Sequence, residues 1–207
     1  MKSNSHNKIL LITSDTYSKI IEENDTTNLC IFGDGASASI IENIDIKEHN
    51  NYRFELGCDG NGVEDLYLPN SGVISNNKKS NDKFLIMNGA NVFSFAINEI
   101  PKNIIKCLDS NNLKISDIDY FILHQANKFI LETIRDKLKI PDNKFIIDLR
   151  YGNTTSSTIP ITINNLIREN SVKNYSKVLI CGFGVGLSWG STIIDLNPKL
   201  IDSIKYK

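Results

Sequence analysis

No apolar run in the 207 residues approaches the roughly 20 that a membrane-spanning helix requires, and the polar opening from Met1 to Lys8 does not resemble a signal peptide. Together these absences give the expectation of a cytoplasmic protein. An excess of either charge is also missing. Lys and Arg number 23 and Asp and Glu 24, for a net charge of -1, so no global field favours nucleic acid or an anionic membrane. Cys30, Cys58, Cys107 and Cys181 are widely separated and form no C-x-x-C pair, which argues against a zinc site and against a disulfide framework. Reduced thiols, mostly buried, are the default. There is no internal repeat. With 41% hydrophobic and 23% charged residues, the chain has the composition of a folded globular protein with room for one sizeable core or two small ones.

Periodicity divides the chain. Lys8 to Thr13 and Ala36 to Ile41 read as strands, with the turn F-G-D-G at Phe32 to Gly35 between them. From Asp45 to Lys83 the sequence is rich in Asn, Gly, Asp and Ser, the composition of a long surface connection, with strand-like pieces around Tyr52 to Phe54 and Leu66 to Leu68. Beyond Asn91 the period changes. Phe93, Ile97, Ile100, Ile104 and Leu108 fall on one helical face, with Pro101 expected to kink or restart the helix. Tyr120 to Leu123 then reads as a strand, and His124 to Asn127 (H-Q-A-N) opens a helix that buries Ile130, Ile134 and Leu138. Phe145 to Ile147 is a strand, Gly152-Asn153 a turn, and Ile159, Ile163, Leu166 and Ile167 mark a further helix. Strands at Val178 to Cys181 and Ser191 to Ile194 flank the glycine turn G-F-G-V-G at Gly182 to Gly186. The alternation of helices and strands makes the carboxy-terminal part α/β.

His124, at the end of a strand that runs into a helix, stands where α/β proteins place ligand and catalytic groups, although a lone histidine there is also an ordinary structural side chain. Asn153, after Gly152, is equally readable as a turn asparagine. The glycine turn is not a dinucleotide fingerprint, because a strand rather than a helix follows it.

Taken together, H-Q-A-N, Y-G-N-T at Tyr151 to Thr154 and G-F-G-V-G-L-S-W-G at Gly182 to Gly190 resemble, in order and spacing, the carboxy-terminal motifs of the ketoacyl-acyl carrier protein synthase III group of thiolase-like enzymes. The likeness continues upstream through F-G-D-G-A at Phe32 to Ala36, Asp59-Gly60, L-P-N at Leu68 to Asn70 and N-G-A-N-V-F at Asn88 to Phe93. It implies the carboxy-terminal half of a layered αβαβα architecture together with the last strands of the first half. In that reading residues 1–50 are a remnant of the amino-terminal half, 51–84 a connection, 85–196 the carboxy-terminal domain and 197–207 a tail.

The resemblance implies an acyltransferase of fatty acid or related acyl-chain biosynthesis, working by decarboxylative Claisen condensation. An acyl group from acyl-coenzyme A is held on a cysteine, and malonyl-acyl carrier protein loses carbon dioxide and attacks it. His124 and Asn153 would donate hydrogen bonds to the thioester oxygen of the developing enolate, since preorganised donors act most strongly where charge develops. Val185 would offer its backbone N–H to the oxyanion of acyl transfer. Asn127 and Gly89 match pantetheine-tunnel positions, and Phe93 matches a tunnel wall while fitting the helix's core stripe equally well. No metal and no resident cofactor is implied; coenzyme A and phosphopantetheine thioesters are substrates.

Acyl carrier protein is the implied partner, with Lys128, Lys137 and Lys139 as candidate contacts and Phe129 where some relatives carry arginine. The family's nucleophilic cysteine lies upstream of the segment resembling Lys8 to Asp15, and none of the four cysteines here occupies an exposed, electropositive setting of the kind that lowers a thiol pKa. A separate amino-terminal subunit supplying it is therefore expected of a working enzyme, as is a homo-oligomer once completed. A non-catalytic binding or dimerisation module of the same fold and a nonfunctional gene fragment are the other readings.

Overall fold

The computed structural model describes residues 8–42, 52–69, 84–169, 171 and 176–196. The element order is β1 (Lys8–Asp15), a 3-10 turn at Tyr17–Lys19, the short α1 (Thr26–Leu29), β2 (Gly35–Glu42), β3 (Glu55–Cys58), a 3-10 segment at Gly60–Asp65, β4 (Leu66–Tyr67), β5 (Ile86–Met87) and α2 (Gly89–Ser110). After α2 come β6 (Tyr120–Leu123), α3 (Lys128–Leu138), β7 (Phe145–Ile146), a 3-10 turn at Thr155–Ser157, α4 (Thr158–Arg168), β8 (Ser176–Gly184) and β9 (Ser188–Leu196).

Five strands form the central sheet in the order β3-β9-β8-β6-β7; β6 runs parallel to β7 and β8, while β9 is antiparallel to β8 and β3. Because side chains alternate along a strand, the sheet presents two apolar faces. Phe121, Leu123, Leu179 and Cys181 pack with α2 and α3 residues Ile100, Ile104, Ile130 and Ile134. Ile122, Val178 and Leu196 face the other way and pack with Ile159, Ile163, Leu166 and Ile167 of α4. Phe121, Ile122 and Leu123 are fully buried, each worth about 1.5–3 kcal/mol by removal from water. The expected α/β class and layering of this half hold.

Several boundaries differ from expectation. The main-sheet strand in the connecting region is Glu55–Cys58 rather than Tyr52 to Phe54, and it pairs with Ser188 to Ser191, so part of that connection is an edge of the sheet. β8 and β9 run longer than predicted and reach the glycine turn itself. The stretches 43–51 and 70–83 of the predicted surface connection, and the 197–207 tail, lie outside the described residues.

Pro101 does not restart α2. The helix is continuous from Gly89 to Ser110. A proline in a helix interior removes the N–H that would bond the carbonyl four residues earlier, here that of Ile97. Lys137 of α3 supplies the missing donor: its Nζ lies 2.8 Å from the Ile97 carbonyl and 3.3 Å from Asn98 Oδ1. Lys137→Met should therefore lower the unfolding free energy by about 0.5–1.5 kcal/mol, since the contact is exposed and solvent screens it, and Lys137→Arg by less. Chemical denaturation checks this; equal stability of Lys137→Met and the parent would contradict it.

The β1–β2 pair is a separate two-stranded sheet, antiparallel, with Lys8 opposite Glu42 and Asp15 opposite Gly35. Both of its faces are open: Leu10 is 61%, Ile12 64% and Ile40 69% exposed on one, and Ile9 is 40%, Leu11 47% and Ile41 45% exposed on the other. Two-stranded sheets with uncovered apolar faces are marginal by themselves. In hydrogen exchange the amides of 8–42 should exchange fastest and those of β6 and β8 slowest. Equal protection of both regions in a demonstrated monomer would count against this.

Candidate functional site

A cavity of about 670 Å³ opens beside the carboxy-terminal ends of β6 and β8. All six residues singled out from the sequence, His124, Asn153, Val185, Asn127, Gly89 and Phe93, line it. So do Asp15, Tyr17, Thr155, Thr158, Phe183 and Trp189, which the sequence reading did not select.

His124 follows β6 directly, and its backbone N–H donates to the Cys181 carbonyl of β8 at 2.8 Å, which fixes the ring at the sheet's end. Gln125 makes that position rigid. It is fully buried, donates through Nε2 to the Leu123 carbonyl at 2.6 Å, and accepts from the Asp148 N–H at 2.7 Å. The His124 ring packs edge-on against Phe183, 5.3 Å between centroids, and its Nδ1 lies 2.8 Å from Thr158 Oγ1. Burial disfavours the charged imidazolium and lowers its pKa to about 4, opposed by an interaction with the Thr155 backbone. The ring keeps some surface toward the cavity, but its surroundings are predominantly apolar, so the direction follows from desolvation.

Asn153 is held by backbone on both sides. Its N–H donates to the Ile31 carbonyl at 2.8 Å and its carbonyl accepts from the Gly33 N–H at 3.0 Å. The F-G-D-G motif is thus the clamp on the Y-G-N-T turn. Gly33 is needed for that approach, since a Cβ there would fall 2.0 Å from the Tyr151 carbonyl oxygen. Gly152 sits at φ +68°, a conformation that side chains disfavour, and a Cβ would meet the Ile31 carbonyl oxygen at 2.9 Å. The Asn153 side chain is oriented as well: Oδ1 accepts from the Thr155 N–H at 2.9 Å, which leaves Nδ2 as the donor end of the amide. From β1, Asp15 accepts from the Ser156 N–H at 3.2 Å and from the Ser156 hydroxyl. On the far side, Arg150 bonds Asp148 at 2.7 Å and also pairs with Glu169 of the α4 end, staplings that fix the same loop.

The remaining candidates have mixed roles. Asn127 caps α3, its Oδ1 accepting from the Ile130 N–H at 2.9 Å, which orients the side chain and leaves its amide nitrogen to donate. Gly89 opens on space; a Cβ there would meet nothing within 4 Å. Phe93 packs on the core, lines the cavity and stacks on Phe129 at 5.0 Å. Val185 is 52% exposed at the rim, in a turn where its carbonyl accepts from the Ser188 hydroxyl at 2.7 Å. That turn is held by Asp59, whose N–H and carbonyl exchange 2.8 Å bonds with Leu187. Of the lysines considered for docking, Lys137 is committed to the helix clamp and Lys128 lies 3.8 Å from Glu132.

No cysteine lines the cavity. Cys107 and Cys181 are buried, and burial raises both thiol pKa values. Cys30 and Cys58 are exposed. No cluster of three or more His, Cys, Asp or Glu suited to a metal is found among the described residues. No helix of the described residues is long and apolar enough to cross a membrane.

A layered α/β sheet with a histidine and an oriented asparagine amide in one cavity at its strand ends places the chain among thiolase-like proteins. Residues 108–196 match the family described as 3-oxoacyl-[acyl-carrier-protein] synthase III C terminal, and residues 1–60 match 3-oxoacyl-[acyl-carrier-protein] synthase III. The β-ketoacyl-[acyl-carrier-protein] synthase III of Porphyra umbilicalis is 37% identical over 94% of this chain and 61% of its own length, and that of Clostridium acetobutylicum 36% over 94% and 60%. A crystal structure of a 3-oxoacyl-(acyl-carrier-protein) synthase III superposes with a TM-score of 0.86 at 32% identity, over 94% of this chain and 62% of that one. The chain belongs to the ketoacyl-acyl carrier protein synthase III family. It spans about 60% of the length of the curated relatives it matches.

The depressed His124 pKa has a measurable sign. The stability that comes from keeping the ring neutral is present above the ordinary value of 6.5 and is lost as pH falls toward 4. An NMR titration should place the His124 midpoint near 4, and a midpoint of 6 or higher would refute the burial argument. Gly33→Ala should lower stability by about 1–3 kcal/mol, the usual cost of forcing atoms into a filled space, and should shift the Asn153 side-chain amide resonances.

Proposed function

We propose that this chain supplies the decarboxylating part of a ketoacyl-acyl carrier protein synthase III site, acting on malonyl-acyl carrier protein, with the acyl-carrying cysteine supplied by polypeptide outside these 207 residues. The observation that carries this reading is the convergence of His124 and Asn153 in one cavity, the Asn153 carbonyl oxygen already bonded and its Nδ2 left to donate. Two donors aimed at one thioester oxygen stabilise the enolate left when carbon dioxide departs. A neutral histidine suits that task, because a charged one would be poorly solvated there and could hand a proton to the enolate carbon. Asn127 and Gly89 at the cavity wall fit a pantetheine arm, and the Val185 N–H at the rim fits the oxyanion of acyl transfer.

The cysteine is assigned elsewhere because the buried thiols are held protonated and the exposed ones lie away from the cavity. The open faces of β1 and β2 support the same division: an amino-terminal half of the family fold would cover Leu10, Ile12 and Ile40 while bringing the nucleophile. Such a subunit, rather than a second copy, meets both needs. Acyl-coenzyme A is the acyl donor in this scheme, and a complete complex is expected to form a homo-oligomer. The pairing of His124 and Asn153 in one cavity favours this reading over the non-catalytic module; a gene fragment would carry the same pair, and reconstitution separates those two.

The chain by itself should show no condensation of acyl-coenzyme A with malonyl-acyl carrier protein and no stable thioester labelling. Mixed with a separately expressed amino-terminal half of a family member, it should recover condensation. In that complex His124→Ala or Asn153→Ala should slow decarboxylation by about 10²–10³, the cost of losing one oxyanion donor, and should spare acyl transfer. Turnover by the isolated chain with labelling of Cys30 or Cys58 would overturn the assignment of the nucleophile. Full decarboxylation in both alanine variants would overturn the assignment of the donors.

A further inference from the structure

We propose that Thr158, the first residue of α4, is a positioning residue that fixes His124 in the tautomer protonated at Nδ1 in the unliganded chain, so that Nε2 meets the cavity as a lone pair. The argument is a count of protons. The Thr158 hydroxyl has one, and its oxygen lies within reach of two groups: the Thr155 carbonyl at 3.0 Å and His124 Nδ1 at 2.8 Å. The carbonyl can only accept: with the hydroxyl proton directed at it both contacts are hydrogen bonds, the one to the ring being a donation from Nδ1–H to Thr158 Oγ1, whereas with that proton on Nδ1 the 3.0 Å contact of two oxygens has none between them. Thr158 is 3% exposed, which leaves no water to take over either bond. The ring is neutral near pH 7, so it carries one proton, and Nε2 has none.

Fixing the carbonyl in place reinforces the arrangement. Thr155 holds φ +51°, which is unfavourable for a β-branched residue, and its N–H is bonded to Asn153 Oδ1. The amide of Asn153 and the imidazole of His124 are thus set by neighbouring groups of one 3-10 turn.

The inference deepens the proposed function and takes its chemical meaning from that reading. Enolate stabilisation calls for Nε2–H, the other tautomer. A bound thioester carbonyl must then be accompanied by exchange of the ring proton and rotation of the Thr158 hydroxyl toward Nδ1. The rotation leaves no orphan, because the Thr155 carbonyl also accepts from the Thr158 backbone N–H. The unliganded site is accordingly built to accept from a donor such as a thiol, and a carbonyl ligand changes it into a donor. One hydroxyl serves both states, accepting from the ring in the first and donating to it in the second.

The test reads the ring directly and needs no activity. With imidazole 15N-labelled protein at pH 7, long-range 1H-15N spectra distinguish the protonated from the bare nitrogen. His124 signals are separated from those of His6 and His49 by comparison with His124→Gln. The unliganded chain should show Nδ1 protonated and Nε2 bare. Thr158→Ser, which keeps the hydroxyl, should give the same pattern, and Thr158→Val, which removes it, should shift the ring to Nε2–H. A spectrum of the unmodified chain with Nε2–H predominant overturns the proposal whatever the variants do, and so does an unchanged tautomer in folded Thr158→Val. Neither result bears on the decarboxylation assay of the reconstituted complex, so failure here and failure of the proposed function are separate outcomes.

Discussion

The two backbone hydrogen bonds that hold Asn153 between Ile31 and Gly33 are the constraint on which the rest of the site depends. They join a turn that follows α1 to a loop that leaves the central sheet, two segments far apart in the chain and belonging to different sheets. Through them the Asn153 backbone is fixed at both ends before its side chain makes any contact. The Thr155 N–H then orients the amide, and the 3-10 turn delivers Thr158 to His124. Without the clamp, Tyr151 to Ser157 would be an ordinary surface loop with a mobile asparagine. Local stability at such a loop is normally low, so a site placed on it requires support from both sides. Here Asp15 and the Thr13 hydroxyl, 2.8 Å from Ser157 Oγ, brace it from β1, and Arg150 ties it to Asp148 and Glu169.

That dependence explains why an otherwise poorly covered hairpin matters to the chemistry. β1 and β2 contribute little to the core, yet the loop ends of both strands reach the site. Exposed apolar residues lie along their length, and polar anchors to the site lie at one end. Of the two strands only Asp15 lines the cavity, joined by Tyr17, Ile31 and Phe32 of the segment between them.

Much of this was legible in the sequence for a definable reason. The strands of the central sheet and the stripes of α2, α3 and α4 obey simple periods, and a buried sheet between helices enforces those periods strictly. The motif residues His124 and Asn153 were found because their spacing is shared with a family. Their supports were not. Thr158 carries no signal of its own, and nothing local reveals that it is almost fully buried against the histidine that follows β6. The expected restart at Pro101 failed for the same reason. The rule that proline breaks a helix holds when its orphaned carbonyl has no partner, and the partner is Lys137, a residue that on sequence alone could only be assigned to the surface. Glu55–Cys58 escaped because a short edge strand rich in glycine and polar neighbours carries little periodic signal.

The balance between burial and hydrogen bonding at His124 sets what the site can do. A solvated histidine with a pKa near 6.5 would be a mixture of charged and neutral forms around neutral pH, and an enolate beside it would face both a donor and an acid. Enclosure by Phe183 and the sheet end removes the charged form. What remains variable is which nitrogen carries the single proton, and that choice is made by a hydroxyl rather than by solvent pH. Burial thus converts a titrating group into a tautomeric one. The cost is that the ring's preferred state must be specified by its neighbours, which is why a buried threonine, a turn residue at positive φ and a doubly held asparagine occur together within six residues of chain. A more exposed histidine would need none of them, and would control neither its charge nor its proton.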